Sequence, residues 1–138
     1  MSDTEPRVRP PDDLEKDVLD PLKKIFGTKA RALLFAGVLG HHLDLRKKIE
    51  NFGEGIRLEY FDEDVKILDL IAVASKGDLA MLREDRRREA IQEFEEYAHG
   101  GLQKIRETCF TGQRSVLEGL FQLLEADQAK PSELPGLI

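Results

Sequence analysis

The chain has 138 residues, of which 41% are hydrophobic and 35% charged, and this balance excludes an intrinsically disordered protein. Residues 1–50 carry 10 Lys and Arg against 9 Asp and Glu, whereas residues 51–138 carry 11 against 18. The resulting net charge of −6 excludes a surface that binds polyanions everywhere, and the single cysteine excludes an intramolecular disulfide.

The first residues, MSDTEPRVRPPDD, contain no apolar run of the kind that secretion signals require. The longest apolar run, ALLFAGVL at 32–39, is too short to cross a bilayer. We therefore expect a cytoplasmic protein. Its acidic second half would suit a basic partner.

The N-terminal stretch 1–11 has three prolines and alternating charges, which predicts a disordered lead-in. A single helical domain is expected over 12–126, followed by a tail over 127–138. The domain begins with apolar residues at helical spacing, which Pro21 interrupts, so a helix is expected to start, kink or restart there.

The most apolar segment follows Thr28, a candidate N-cap. From Ala30 to His41 the residues are apolar or small nearly all round, which is typical of a helix buried at the centre of a domain. Gly37 and Gly40 would let neighbouring elements approach this helix closely.

A short strand is predicted farther along, because Ile56, Leu58 and Tyr60 alternate with charged residues. A single strand needs a partner, and the nearest candidate is the segment Leu45–Ile49. Three further helices are predicted at 63–75, 84–107 and 114–125. The expected fold is therefore mainly α, a compact single-domain bundle of about five helices with a small β-hairpin at 45–60.

Two adjacent glycines interrupt the segment FEEYAHGGLQKI within the predicted long helix. The apolar residues keep the same helical phase before and after them, which favours one continuous helix over a glycine C-cap and a new helix. Gly101 lies on the apolar stripe, and the candidates for close packing or partner contact here are Tyr97, Gly100 and Gly101. Gly100 lies off the stripe and is expected only to cost helix propensity.

The clearest candidate for ligand binding is a set of basic residues. Arginine guanidinium groups match phosphate oxygens well, so this set would suit contact with a DNA backbone. Glu84, Asp85 and Glu89 lie among these arginines and are alternative partners. The set consists of Arg46, Lys47, Lys48, Arg83, Arg86, Arg87 and Arg88.

Other residues that carry chemistry give weaker patterns. His41 and His42 precede Asp44, but adjacent histidines point to different sides of a helix, so a pair at a helix end is favoured over a metal site. Cys109 has no neighbouring base and is expected to be a buried or incidental thiol.

Two further patterns, a group of glutamates and a pair of glycines, also lack the features of a functional site. Glu93, Glu95 and Glu96 are expected on a solvated helix face. The glycines at 53–55 precede a strand, whereas a phosphate loop must precede a helix. We predict no catalytic residue, cofactor or metal site, and therefore no enzyme.

Three of these segments, taken together and in order, resemble one family. FGTKARALLFAGVLG, GEGIRLEYF and FEEYAHGGLQKI are similar to DNA phosphorothioation (Dnd) system-associated protein 4, over roughly residues 20–108. The chain departs from the family pattern at His99, where Asn is typical, and at Leu58, where Trp is usual.

The resemblance implies which genes lie beside the gene of this protein, and it assigns no catalytic residue. It implies a bacterial or archaeal protein encoded beside the enzymes that replace a phosphate oxygen of DNA with sulfur, or beside the restriction proteins that read this mark. The expected function is that of a non-catalytic accessory protein that binds larger proteins of such a phage-defence complex. The alternative is direct binding of the DNA backbone by the basic set.

Overall fold

The computed structural model describes residues 6–110 and 118–123 and is mainly helical. Two short strands, β1 (Arg7–Val8) and β2 (Ile56–Arg57), pair in antiparallel orientation. Residues 118–123 are also helical. The prediction of a mainly α bundle of about five helices with a small two-stranded element is confirmed. The helices are α1 (Asp12–Leu14), α2 (Asp20–Phe26), α3 (Lys29–His42), α4 (Val65–Lys76) and α5 (Arg87–Cys109).

The core of the fold is the crossing of α3 and α5, where glycines bring the two backbones together. A Cβ atom at Gly40 would overlap the carbonyl oxygen of Tyr97, and one at Gly101 would overlap that of Ala36. Helix α5 runs through the glycine pair without a break, as the unchanged helical phase predicted. The central place of α3 and the continuity of α5 are both confirmed.

One side of α3 is less buried than its composition suggested. Val38 lies opposite the α5 contact and is exposed. Phe35 is half-buried and packs on Phe26 of α2, with ring centroids 4.9 Å apart. The prediction of burial nearly all round was wrong on this side, because a run of apolar residues does not say how many neighbours a helix has.

The lead-in prediction was wrong for residues 6–11, while residues 1–5 lie outside the described part. Val8 is fully buried, and the backbone N–H of Asp12 donates to the carbonyl of Asn51 over 2.8 Å. The N–H of Gly53 donates to the carbonyl of Pro10 over 2.7 Å. Proline φ angles are compatible with an extended chain, so the prolines do not prevent this segment from pairing. It pairs with residues 52–57 through β1 and through a bridge between Pro11 and Phe52.

The predicted hairpin was also wrong in its partner. Ile56–Arg57 pairs with β1, and the following residues form 3₁₀ turns over Leu58–Asp64. The segment Leu45–Ile49 is irregular, because its N–H groups bond elsewhere: Leu45 donates to Gly40 and Lys47 donates to Glu96. The segment therefore lies along α5.

Pro21 sits in a helical segment that has adapted to it. A π-helical stretch, Glu15–Leu19, joins α1 to α2, and the N–H of Asp20 donates to the carbonyl of Glu15. The wider turn suits the position before a proline, whose ring and missing N–H disfavour ordinary α-helical bonding.

Of the helix predicted over 114–125, residues 118–123 are helical. The rest of that helix, the domain boundary at 126 and the tail at 127–138 lie outside the described residues.

Candidate functional site

Two residues of the predicted basic set, Arg46 and Arg86, lie along one side of α5 in an alternating row of charges. Arg86 binds Glu89 through two hydrogen bonds of 2.9 and 3.0 Å. Lys76 of α4 lies 3.7 Å from Glu89 and 3.5 Å from Glu93. We call this row the charge ladder, and its members in order are Arg86, Glu89, Lys76, Glu93, Arg46 and Glu96.

The centre of the charge ladder is the pair Arg46–Glu93. The guanidinium donates two parallel hydrogen bonds to Glu93, of 2.6 and 2.7 Å, and a third of 2.6 Å to Glu96. Ser75 also donates to Glu93 over 2.6 Å. Burial opposes the ionisation of Glu93, but the hydrogen bonds from Arg46 and Ser75 outweigh it, so the pKa of Glu93 lies below its usual value.

This arrangement corrects the prediction that the carboxylates of α5 are solvated. Glu93 and Glu95 are each only 3% exposed, and Glu96 is half-buried. Charged side chains are seldom buried to this degree unless they are paired. The sequence did not reveal the pairing because the partner of Glu93 is 47 residues away in the chain.

Of the other predicted basic residues, three contact a polar side chain and two are exposed to solvent. Arg83 pairs with Asp85 on the surface over 2.8 Å, and Arg87 pairs with Asp69 over 2.6 Å. Lys47 donates to Gln103 over 3.0 Å. Lys48 and Arg88 are exposed. The structure brings Arg46 and Arg86 to one side of α5, but acidic residues stand between them.

The opposite side of α5 carries a site that sequence reasoning missed. A surface cavity of about 450 Å³ lies between β1 and the first half of α5. Three arginines contribute to its lining, so we call it the arginine cavity. Its walls are formed by Pro6, Arg7, Arg9, Phe52, Arg88, Ile91, Gln92 and Glu95.

Glu95 forms a wall of the arginine cavity and has an unusual environment. Its side chain accepts the backbone N–H of Arg9 over 2.7 Å, and the guanidinium Nε of Arg9 lies farther off, at 3.6 Å. Burial raises the pKa of Glu95 to about 7, and the contacts with Arg9 offset only part of this effect. In the sequence, the alternation Arg7–Val8–Arg9 is typical of a strand with both arginines on one side. The neighbouring prolines favoured a disordered segment instead.

The residues predicted for close packing or partner contact are all inside the protein. Tyr97, Gly100 and Gly101 are buried. The ring of His41 meets Tyr97 edge-on, with centroids 5.0 Å apart. A Cβ atom at Gly100 would overlap the carbonyl oxygen of Leu45, so the expectation that Gly100 only costs helix propensity was wrong.

The remaining titratable candidates are dispersed. His42 is exposed and Cys109 is buried. His99 is buried, and burial together with the nearby charge of Lys47 lowers its pKa. Within residues 6–110 and 118–123, no group of three or more His, Cys, Asp or Glu side chains could hold a metal ion.

A second surface feature is apolar. Along α4, Leu68 and Ile71 face the core, while Ile67 and Leu70 point outward. After α4, the 3₁₀ turn Leu79–Leu82 exposes more leucine surface. Leu70 is 63% exposed and Leu79 is 74% exposed. We call this the apolar edge, and it consists of Ile67, Leu70, Leu79 and Leu82.

In the described part of the chain, every helix is too short or too polar to cross a membrane.

Comparison with known proteins identifies the family of the chain. Neither a curated protein nor a solved structure shows significant similarity to the chain. The family model described as DNA sulphur modification system-associated protein 4 matches residues 7–135, which agrees with the resemblance of the three segments. The chain therefore belongs to this family, which is associated with a DNA sulphur modification system.

Proposed function

We propose that this protein is a non-catalytic accessory protein that binds a larger protein of a DNA sulphur modification or restriction complex. The observation that carries this proposal is the apolar edge. Leu70 and Leu79 expose most of their side chains on two elements that contact each other, and grouped exposed apolar side chains are typical of protein–protein contacts. Fully burying one exposed leucine side chain contributes about 1.5–3 kcal/mol, so these residues would supply part of the binding energy of a partner.

The architecture of α4 supports docking of this kind. The helix has one apolar side that faces the core, yet Ile67 and Leu70 form a second apolar strip that is exposed to solvent. An exposed strip on a helix next to a leucine-rich turn suits the groove or helix of a partner protein. The excess of Asp and Glu over Lys and Arg in residues 51–138, which include α4, would favour a partner with a basic surface.

The strongest polar cluster has the chemistry of a structural contact. Glu93 and Arg46 neutralise each other through a pair of short hydrogen bonds. The pKa of Glu93 is lowered, which makes it a poor general base near neutral pH. The charge ladder is thus suited to holding α4, α5 and residues 43–49 together.

The decisive experiment is a pull-down of the tagged protein from its native host, with and without nuclease. The test variant is Leu70→Asp combined with Leu79→Asp, and the control is Ile25→Asp, since Ile25 is an exposed apolar residue of α2. We expect proteins of the sulphur modification system to be captured after nuclease treatment. The double variant should lose them and the control should keep them. Capture that survives the double variant would contradict the apolar edge as the docking surface.

The second candidate function is DNA-backbone binding by the predicted basic set. The exposed charges of Lys48 and Arg88 favour it, whereas the ion pairs of Arg46, Arg86 and Arg87 weigh against it. Backbone contact would make DNA affinity fall steeply with salt, because neutralised phosphates release counterions. Lys48→Ala should then reduce affinity and flatten the salt dependence, and partners should disappear from the pull-down after nuclease treatment.

A further inference from the structure

The arginines of this protein fall into two groups according to their carboxylate partners. In the charge ladder, Arg46 and Arg86 each donate short hydrogen bonds to carboxylates, between 2.6 and 3.0 Å. At the arginine cavity, the ion pair of Arg9 with Glu95 is longer, at 3.6 Å. Within residues 6–110 and 118–123, Arg88 has no ion pair. The cavity therefore gathers guanidinium groups that no nearby carboxylate neutralises fully.

The arginines at the cavity come from separate elements and are held in place by other contacts. The guanidinium carbon of Arg9 lies 3.8 Å from the ring centroid of Phe52, a cation–π arrangement that orients the group. Arg7 extends from β1 and donates to the carbonyl of Gly55 over 3.4 Å. Arg88 comes from the first turn of α5. Their convergence is a product of the tertiary fold, because β1 and α5 are far apart in sequence.

Like charges that share a cavity repel one another, and an anion relieves that repulsion. Three arginines line the cavity together with a single carboxyl group, that of Glu95. Because burial raises the pKa of Glu95 to about 7, it carries only part of its negative charge near neutral pH. Guanidinium groups match the tetrahedral oxygens of phosphate through paired N–H donors.

We propose that the arginine cavity binds a phosphate-type oxyanion on the guanidinium groups of Arg7, Arg9 and Arg88. The cavity volume, about 450 Å³, leaves room for the groups attached to a phosphate ester. Phe52 and Ile91 supply apolar wall beside the charged groups. The phosphate belongs to a nucleic-acid backbone or to a free anion. This site shares only Arg88 with the basic set predicted from sequence, and it stands independently of docking at the apolar edge.

The test uses the full-length chain with two probes, a short fluorescein-labelled DNA duplex followed by anisotropy and inorganic phosphate followed by calorimetry. The test variants are Arg88→Ala and Arg7→Ala. The matched control is Arg83→Ala, which removes the same charge from an exposed arginine paired with Asp85. Lys48→Ala reports on the basic set predicted from sequence. Circular dichroism confirms that each variant is folded.

Arg88→Ala is expected to weaken binding by about tenfold, the effect of losing charge-assisted hydrogen bonds to one phosphate. Arg7→Ala should act in the same direction, and Arg83→Ala should change affinity by less than about twofold. Binding of the duplex alone assigns the site to a nucleic-acid backbone, whereas binding of inorganic phosphate assigns it to a free anion.

Three results would overturn the proposal. The first is that the parent protein binds neither probe. The second is that Arg83→Ala weakens binding as much as Arg88→Ala, which would indicate a general charge effect. The third is that Lys48→Ala abolishes binding while Arg88→Ala and Arg7→Ala do not. None of these results depends on the apolar edge, so this proposal can fail while the accessory function stands.

Discussion

Glu93 and Glu95 lie two residues apart on opposite sides of α5, and both are 3% exposed. The pKa of Glu93 is lowered, whereas burial raises the pKa of Glu95 to about 7. Equal surface exposure therefore gives opposite electrostatic outcomes. The carboxylate of Glu95 lies deeper in the protein and loses more hydration, and fewer hydrogen bonds reach it to replace the lost water.

The two environments suggest different roles for the two sides of the helix. On the charge-ladder side, Arg46 donates two hydrogen bonds to Glu93 and Ser75 donates one. On the cavity side, Glu95 accepts one backbone N–H from Arg9, and the arginines around it stay available. Paired charges stabilise the fold, while incompletely neutralised charges are suited to a ligand.

The largest expected effect is on the charge-ladder side. Arg46→Ala should reduce the free energy of unfolding by about 3 kcal/mol, because it leaves Glu93 buried without its main partner. Lys76 remains within 3.5 Å of Glu93, which keeps the loss at the lower end of the range for such pairs. Denaturant unfolding measures the change.

The matched control for Arg46→Ala is Arg86→Ala. Arg86 makes the same two-pronged contact, but its partner Glu89 is much more exposed to water. Its removal should cost much less stability than Arg46→Ala does, because an ion pair in contact with water contributes little. Similar losses for the two variants would contradict the view that the burial of Glu93 decides the effect.

The next effect is a pH dependence on the cavity side. The folded protein holds the proton of Glu95 up to about pH 7, whereas the unfolded chain releases it near 4.5. The free energy of unfolding should therefore fall as pH rises from 4.5 to 7, by up to roughly 3 kcal/mol at about 1.4 kcal/mol per pKa unit. Glu95→Gln, which stays neutral, should be more stable than the parent at pH 8 and equal to it below pH 4.5.

Glu93→Gln provides the opposite case for the same measurement. Its folded pKa is lowered, so the ionised form contributes stability above pH 4.5 that is lost as pH falls through the folded pKa. This variant should be less stable than the parent at pH 7, and the difference should shrink in acid. If the two Gln variants showed the same pH profile, the contrast between the two sides of α5 would be wrong.

A smaller loss is expected where residues 43–49 meet α5. Gly100→Ala should destabilise the protein by about 2 kcal/mol, because the added Cβ would push against the backbone carbonyl of Leu45. Helix propensity alone predicts the opposite sign. Gln92→Ala, at an exposed position of α5, is the control and should change stability by less than about 0.5 kcal/mol. Thermal melts of both variants would decide.

The smallest expected effect sharpens the contrast between the two groups of arginines. Arg88→Ala should alter the free energy of unfolding by no more than about 0.5 kcal/mol, since Arg88 is exposed and has no ion pair within the described residues. A loss comparable to that of Arg46→Ala, measured by denaturant unfolding, would show that Arg88 supports the fold directly. The arginine cavity would then be a structural feature.

The sequence by itself determined the helices, because helical periodicity is a local property. Apolar residues recur from Ile91 to Ile105 with unchanged phase, and α5 accordingly runs through Gly100 and Gly101. The run of small and apolar residues also placed α3 at the centre of the fold. The family resemblance of the three segments was also visible in the sequence, because a family match depends on the order of residues and not on their contacts.

Only the tertiary structure decided the partners of each element. The strand Ile56–Arg57 pairs with Arg7–Val8, about 50 positions earlier, and two alternating residues between prolines are too short a signal to predict that pairing. Gly100 lies off the apolar stripe of α5, yet the backbone of Leu45 lies against it. A helical pattern shows which side is apolar, but it does not show which polar side another segment will cover.

The same limit applies to the candidate sites. The sequence EFEEY gives Glu93 and Glu95 nearly identical surroundings, and only the fold brings Arg46 to one and Arg9 to the other. Electrostatic environment depends on burial and on groups brought together from distant positions. Local sequence therefore identified Arg88 as a candidate, whereas the place of Arg7 and Arg9 beside it, and the neutralisation of Arg46 by Glu93, were decided only by the tertiary structure.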